Sequence, residues 1–320
     1  MSFACAGPVR CCRNKPMLTV LALLLPVYLL VAAGYVVVRT NWVAGSEMGS
    51  LGRLVLRVFI PAMLFYALSS APLHETIRPD FLAAYGLASV TMWGATLALS
   101  KALGNGRTDA GLEAMGASVS NSAYFGLPVV TMVFGHELAL RVFALNLLVE
   151  NLIVLPLAIG YLDTAGGRVS AKGILRTITR NPLLIASVAG LAFGATGLPL
   201  PEPLIRTFEM LGPVAAPVAL LVIGAAVADL KASAIAGGAL RLIPIKLIAF
   251  PALTATLMFG FGVEPTLAKA GILTAAVPMM SSFALFGLNY GRPQLAASAV
   301  IFTTAVSFVT LTALITLMGV

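Results

Sequence analysis

Charge is scarce in this chain. Of its 320 residues, 12 are Asp or Glu and 20 are Lys or Arg, 10% in all, against 59% hydrophobic residues. So little polar surface cannot enclose the apolar residues of a soluble globule, which leaves a polytopic membrane protein. Histidine is almost missing: His74 and His136 fall in expected loops, and there is no HExxH, no pair of aspartates and no carboxylate cluster. The three cysteines, Cys5, Cys11 and Cys12, crowd into the first twelve residues with neither zinc-ligand nor CxxC spacing. Gly104-Asn-Gly106-Arg is a turn and lacks the strand and lysine of a phosphate loop. Ser120 and Ser122 have no histidine or lysine placed to activate a nucleophile. No catalytic residue, metal site or cofactor is expected, and the chain is not read as an enzyme. The net charge of +8 comes without a solvated basic face or stacking residues, which excludes nucleic acid as a partner.

What the chain does have is apolar runs. Ten are long enough to cross a bilayer: 17–38, 51–71, 81–100, 111–134, 138–161, 182–198, 208–228, 239–260, 267–289 and 294–318. The expected organisation is a tail over 1–16, a first five-helix repeat over 17–162, a linker over 163–180 and a second five-helix repeat over 181–320. Three basic residues in the tail oppose the topology derived below, which makes Met17 a candidate start. If the runs alternate across the bilayer, thirteen basic residues from Arg39 to Arg292 share one side and seven the other. The positive-inside rule then puts the linker in the cytoplasm and both termini outside.

The duplication is written in prolines and glycines. Pro26, Gly34 and Pro61 recur as Pro182, Gly190 and Pro217 at an offset of 156, and Pro128 recurs as Pro278 at an offset of 150. Five spans per half make the halves inverted. Inverted repeats with broken helices mark secondary transporters that work by alternating access. The spans expected to break are the fourth and ninth. The fourth places Ser118, Ser120, Asn121 and Ser122 where a spanning helix should be apolar, ahead of Gly126 and Pro128; the ninth holds Pro278, Ser281 and Ser282. Proline removes a helical donor, and small polar side chains offer the backbone other partners. Unwound backbone inside a bilayer is tolerated where it lines a cavity or faces protein. The freed groups and half-helix N-termini suit a carboxylate. The bland alternative is a pair of proline kinks with serines bonded to their own helices.

Two buried charges stand out. Glu150 lies mid-span in the fifth run, with Asn146 on the same helix face and Asn151 beside it. At that depth a carboxylate must be paired or bind a proton, so these three residues are candidates for ion or proton coupling, or alternatively a helix–helix hydrogen bond. Lys246, in the eighth run, could attract an anion or pair with Glu150; snorkelling to the cytoplasmic interface is the favoured expectation.

At these residues the chain resembles the auxin efflux carrier family, which includes plant PIN carriers and bacterial malonate or malate permeases. The resemblance runs from Met17 to Val320. Asn181-Pro182 is similar to the opening of the family's sixth helix, Ser120-Asn121-Ser-Ala-Tyr-Phe-Gly126-Leu-Pro128 to its fourth-helix crossover, and Ala275-Ala-Val-Pro278 with Ala299-Val-Ile-Phe302 to its ninth and tenth helices. It implies an all-α protein of ten transmembrane helices with crossovers in helices 4 and 9, akin to the bile acid sodium symporter fold. It also implies a scaffold, a mobile transport part, and a carboxylate substrate contacted at Asn121. Met279 and Met280 depart from the plant pattern, and the plant carriers' long cytoplasmic loop is missing, which points to a small dicarboxylate rather than auxin.

The reading is a secondary transporter of small organic anions in the bacterial inner membrane. Asn121, Ser120, Ser122, Ser281 and Ser282 line the site, Pro128, Pro278 and Gly126 shape it, and a proton or sodium ion is coupled. Small residues on the helix faces permit a homodimer within the lipid bilayer. A channel or an organic-acid receptor is the alternative.

Overall fold

The computed structural model describes residues 16–70, 77–165, 180, 182–229 and 237–319. The cysteine-bearing tail, His74, Asn181 and most of the expected linker lie outside the described residues. Twelve helical stretches account for the rest. They are α1 (Pro16–Arg39), α2 (Gly45–Ser70), α3 (Pro79–Ala102), α4 (Arg107–Ser118), α5 (Ser122–Phe134), α6 (His136–Asp163), α7 (Pro182–Gly194), α8 (Glu202–Asp229), α9 (Gly238–Gly260), α10 (Pro265–Ala276), α11 (Phe283–Asn289) and α12 (Pro293–Met318). Six of them, α2, α3, α6, α8, α9 and α12, are long and apolar enough to cross a membrane without interruption. The runs expected at 111–134 and 267–289 are each two helices with a non-helical stretch between them, α4 with α5 and α10 with α11.

Four of the prolines act on the preceding helical turn in the same way. Four π-helical turns occur among the described residues, Val55–Phe59, Ser122–Gly126, Glu150–Val154 and Ile245–Ala249, and each ends two residues before a proline: Pro61, Pro128, Pro156 and Pro251. A proline ring clashes with the carbonyl four residues back. Widening the preceding turn relieves the clash, so the residue just before the proline reaches five residues back instead of four. Ile60 N–H accordingly donates to Val55 O, Leu127 to Ser122 O, Leu155 to Glu150 O and Phe250 to Ile245 O. Pro26, by contrast, sits inside α1 without a break.

The helices form two groups. In one, α1 packs on α8, α7 on α2, and α2 on α8. In the other, α3 packs on α4, α6 and α9, and α9 on α10 and α12. Glycine sets the close approaches in the first group. A Cβ on Gly34 would stand 2.0 Å from Leu221 O, one on Gly224 1.8 Å from Val31 O, and one on Gly190 2.8 Å from Phe65 O. Gly34 with Gly190, and Phe65 with Leu221, are both 156 positions apart, so the repeated glycines make equivalent crossings. Polar links gather at one end of the second group: Arg241 on Glu113 at 2.8 Å, Tyr290 Oη on Asp163 at 2.7 Å, and Arg292 on Asp109. At the other end Glu264 caps α10, its carboxylate accepting the N–H groups of Thr266 and Leu267 at 2.9 and 2.8 Å. These bonds hold its carboxyl below the usual carboxylate range.

Gly34→Ala and Gly224→Ala should each lower stability by about 1–3 kcal/mol, since backbone cannot yield as a side chain can. Gly94→Ala, whose Cβ meets nothing within 4 Å, should be neutral or stabilising by up to about 1 kcal/mol. Thermal unfolding of the purified protein in detergent measures all three. Because the Glu264 carboxyl is depressed in the fold, the cap's contribution is complete above the ordinary glutamate pKa of about 4.3 and is lost as pH falls through the lower folded value. Glu264→Gln should therefore flatten that acid limb of a stability–pH profile.

Candidate functional site

The fourth run stops being helical at Ser118. Val119 is extended, with φ −113° and ψ 131°, and the chain resumes helical form at Ser122. The ninth run does the same: α10 ends at Ala276, Val277 is extended, and α11 begins at Phe283. The two extended stretches meet. Ser120 and Met279 form an isolated antiparallel bridge, and Asn121 N–H donates to Pro278 O at 2.8 Å. Backbone that lost its helical partners finds others here, Asn121 N–H in the opposite run and Ser120 N–H on Glu150, as a low-dielectric setting requires. Asn121 O then accepts from Phe125 and Gly126, both at 2.9 Å, and starts the next helix.

The position of the first break corrects the expectation attached to Pro128. That proline does not lie at the break; it stands in the opening turn of the α-helical part of α5, after a π turn that ends at Gly126. Proline is well accommodated in a first turn, where its missing N–H costs little. Pro278 does lie in its extended stretch, and its carbonyl serves the partner strand.

Inside the crossing, a polar cluster closes around Ser120. Glu150 opens the π turn of α6, is 5% exposed, and its Oε1 accepts the Ser120 N–H at 2.9 Å. The Ser122 hydroxyl lies 3.2 Å from both Glu150 oxygens and also accepts from Asn146 Nδ2. On the other side Lys246, in the π turn of α9, donates from Nζ to Ser120 Oγ at 2.6 Å and to Ala275 O at 2.9 Å. Its ammonium sits 4.5 Å from the centre of the Phe250 ring. Lys246 is 0% exposed, so the expected snorkel to the interface is wrong. The stem runs inward because Ser120 Oγ and the terminal carbonyl of α10 supply the acceptors that water would otherwise supply. No direct ion pair joins Glu150 to Lys246; Ser120 stands between them, bonded to one through its backbone and to the other through its hydroxyl.

The expected residues therefore separate. Ser120, Ser122, Asn146 and Glu150 come together with their polar groups directed at one another. Asn121 is 4% exposed and donates from Nδ2 to Ser281 Oγ at 2.7 Å, while Ser281 is half-buried and Ser282 exposed. Asn151 donates from its Nδ2 to Leu147 O on its own helix. Sequence reasoning missed Tyr85. Its hydroxyl is buried and faces Ser120 and Asn146 without reaching hydrogen-bond geometry. One tyrosine in an apolar run gives no signal of that placement. It also missed Tyr124, whose hydroxyl donates to Gly52 O at 2.9 Å and ties the crossing to α2. No group of three His, Cys, Asp or Glu side chains assembles among the described residues.

Glu150→Gln keeps an acceptor for the Ser120 N–H and should retain the folded yield and melting temperature of the wild type to within a few degrees. Glu150→Ala strands that N–H and takes the carboxylate from the Ser122 hydroxyl, and each unpartnered polar group costs about 1–3 kcal/mol. Thermal unfolding of the two variants side by side should order them in that way.

The family described as Membrane transport protein matches residues 19–167 and 166–315 of this chain. A protein of Rhizobium meliloti (strain 1021) named "Putative malonate transporter" is 29% identical over 311 residues, covering 93% of this chain and 96% of that relative. The apolar helices and the match agree on an integral, multi-pass membrane protein of transport type. The chain belongs to the Membrane transport protein family, that of the auxin efflux carriers.

Proposed function

We propose that this chain is a secondary transporter of small organic anions that works by alternating access. The observation that favours this most is the crossing itself: two helices broken at one level, with their extended backbones bonded at Asn121–Pro278 and Ser120–Met279. Irregular backbone is tolerated within an apolar bundle where it is buried in protein or lines a cavity, and paired broken helices are where transporters hold their substrates. Further support comes from the two groups of helices, from the equivalent crossings of Gly34 and Gly190, and from a family match in two segments that meet at residues 166–167. On this reading the chain is ten spans in two inverted halves, with both termini outside the cytoplasm of a bacterial cell.

The substrate carboxylate is met by the Asn121 amide with Ser281, at the rim marked by the exposed Ser282. Ser120 and Ser122 stand behind it and hold the charged pair. Malonate or a similar small dicarboxylate is the substrate class, in keeping with the relative's name. α3–α6 with α9–α12 form the moving body, and α1, α2, α7 and α8 the scaffold, an elevator-type division. Contacts between the bodies include Tyr28, which packs edge-on to Phe125 and Phe308 and lies 3.4 Å from Ser307 Oγ, and the Tyr124–Gly52 bond. Glu150 couples a proton to this motion, because a carboxylate whose partners are one N–H and one hydroxyl keeps an oxygen able to accept a proton.

Uptake of radiolabelled malonate, malate and indole acetate into proteoliposomes, with and without imposed pH and sodium gradients, tests this. Saturable malonate flux that weakens about tenfold or more in apparent affinity in Asn121→Ala is expected, the loss of one charge-assisted hydrogen bond at the site. Glu150→Gln should keep counterflow exchange and lose accumulation driven by a pH gradient. Binding of these acids without flux would make the protein a receptor, and flux that never saturates would make it a channel.

A further inference from the structure

Lys246 is the charge whose surroundings say most. A fully buried ammonium within a spanning helix is costly unless oppositely charged or dipolar groups surround it. Its acceptors are both uncharged, Ser120 Oγ at 2.6 Å and Ala275 O at 2.9 Å. Ala275 is in the last turn of α10, where unpaired carbonyls and the helix dipole place partial negative charge. Glu150 lies behind Ser120, bonded to its N–H. Two further oxygens belong to this same neighbourhood, and both are buried without a partner. One is Asn146 Oδ1, whose amide nitrogen is on Ser122; the other is Tyr85 Oη, which faces Ser120 and Asn146. The ammonium thus rests on a hydroxyl and a helix-terminal carbonyl, with a carboxylate on the far side of Ser120 and an amide oxygen and a phenol beside the same serines. Oxygen donors of this kind are what a hard metal cation uses, and there is no nitrogen or sulfur ligand among them.

We propose that Lys246 is a tethered cation: its ammonium takes the place that a free monovalent cation would occupy at the helix crossing, and removing the side chain turns that place into a binding site for an alkali or small alkylammonium ion. The wild-type crossing is neutralised from within, so its closure needs no ion from solution. The inference rests on the transporter reading only for its effect on flux, where it means that a sodium gradient does not drive uptake by the wild type. Its structural content, a vacated oxygen-lined place in the variant, stands apart from what is transported.

The test has two arms. In the first, thermal unfolding of purified wild type, Lys246→Ala and Lys246→Met is followed in sodium, lithium, methylammonium and choline chlorides at equal ionic strength. Choline is too large to enter and serves as the baseline. Lys246→Ala should melt below the wild type in choline and recover several degrees in at least one of the three small cations, as ligand linkage requires. The wild type should respond to all four salts alike. Lys246→Met, which fills the channel of the stem without charge, should remain low in every salt. In the second arm, malonate uptake by Lys246→Ala should fall about tenfold or more in choline and recover in the same cation that raised its melting point. Equal melting of Lys246→Ala in all four salts overturns the proposal, as does wild-type uptake by Lys246→Met, since charge would then be unnecessary. If wild-type protein moves none of the acids, the transport reading falls, while the melting comparison still decides whether Lys246 stands in for a cation.

Discussion

Backbone groups deep in an apolar bundle must find partners, and the rest of this molecule is arranged around one place where helices fail to supply them. Between Ser118 and Ser122, and again between Ala276 and Phe283, the chain leaves helical form. The two gaps satisfy each other through a single antiparallel bridge and one backbone hydrogen bond. Ser120 then takes a carboxylate on its N–H and an ammonium on its hydroxyl. Removing any member of that set strands another in a medium that offers no water, so the cluster behaves as one unit.

This requirement explains why both charges sit where they do. Glu150 and Lys246 each belong to a π turn, and each π turn precedes a proline by two residues. A widened turn offsets the side chains that follow it, which is one reason such turns recur at functional sites. The prolines thus act at one remove from the crossing. Pro156 and Pro251 set the turns that present Glu150 and Lys246, whereas Pro128 shapes the helix that leaves the break.

Around the cluster, the two groups of helices differ in how they hold together. α1, α2, α7 and α8 approach closely through Gly34, Gly224 and Gly190, where backbone meets backbone and dispersion dominates. The other group is fastened at one end by Arg241–Glu113, Arg292–Asp109 and Tyr290–Asp163. Between the groups lie aromatic contacts of Tyr28, its hydroxyl's bond to Ser307, the Tyr124–Gly52 bond, and the packing of α1 on α12 and of α2 on α6.

Composition alone determined the membrane setting, because 10% charge cannot wrap 59% hydrophobic residues. Proline and glycine spacing pointed to two similar crossings, at Gly34 and at Gly190, and the polar run Ser118–Ser122 marked a break, since local backbone chemistry depends on the residues that hold it. Glu150 and Asn146 were legible together because a helix places residues four apart on one face. The direction of Lys246 was not. Its long stem can reach the interface or the interior, and that choice belongs to Ser120 and Ala275, which are 126 and 29 residues away in sequence. Tyr85 and Asn151 make the same point from opposite sides: an unremarkable tyrosine is turned toward the cluster, and an asparagine next to the key carboxylate bonds to its own helix. Sequence fixes which groups must find partners, and only the packing of distant helices decides which partners are within reach.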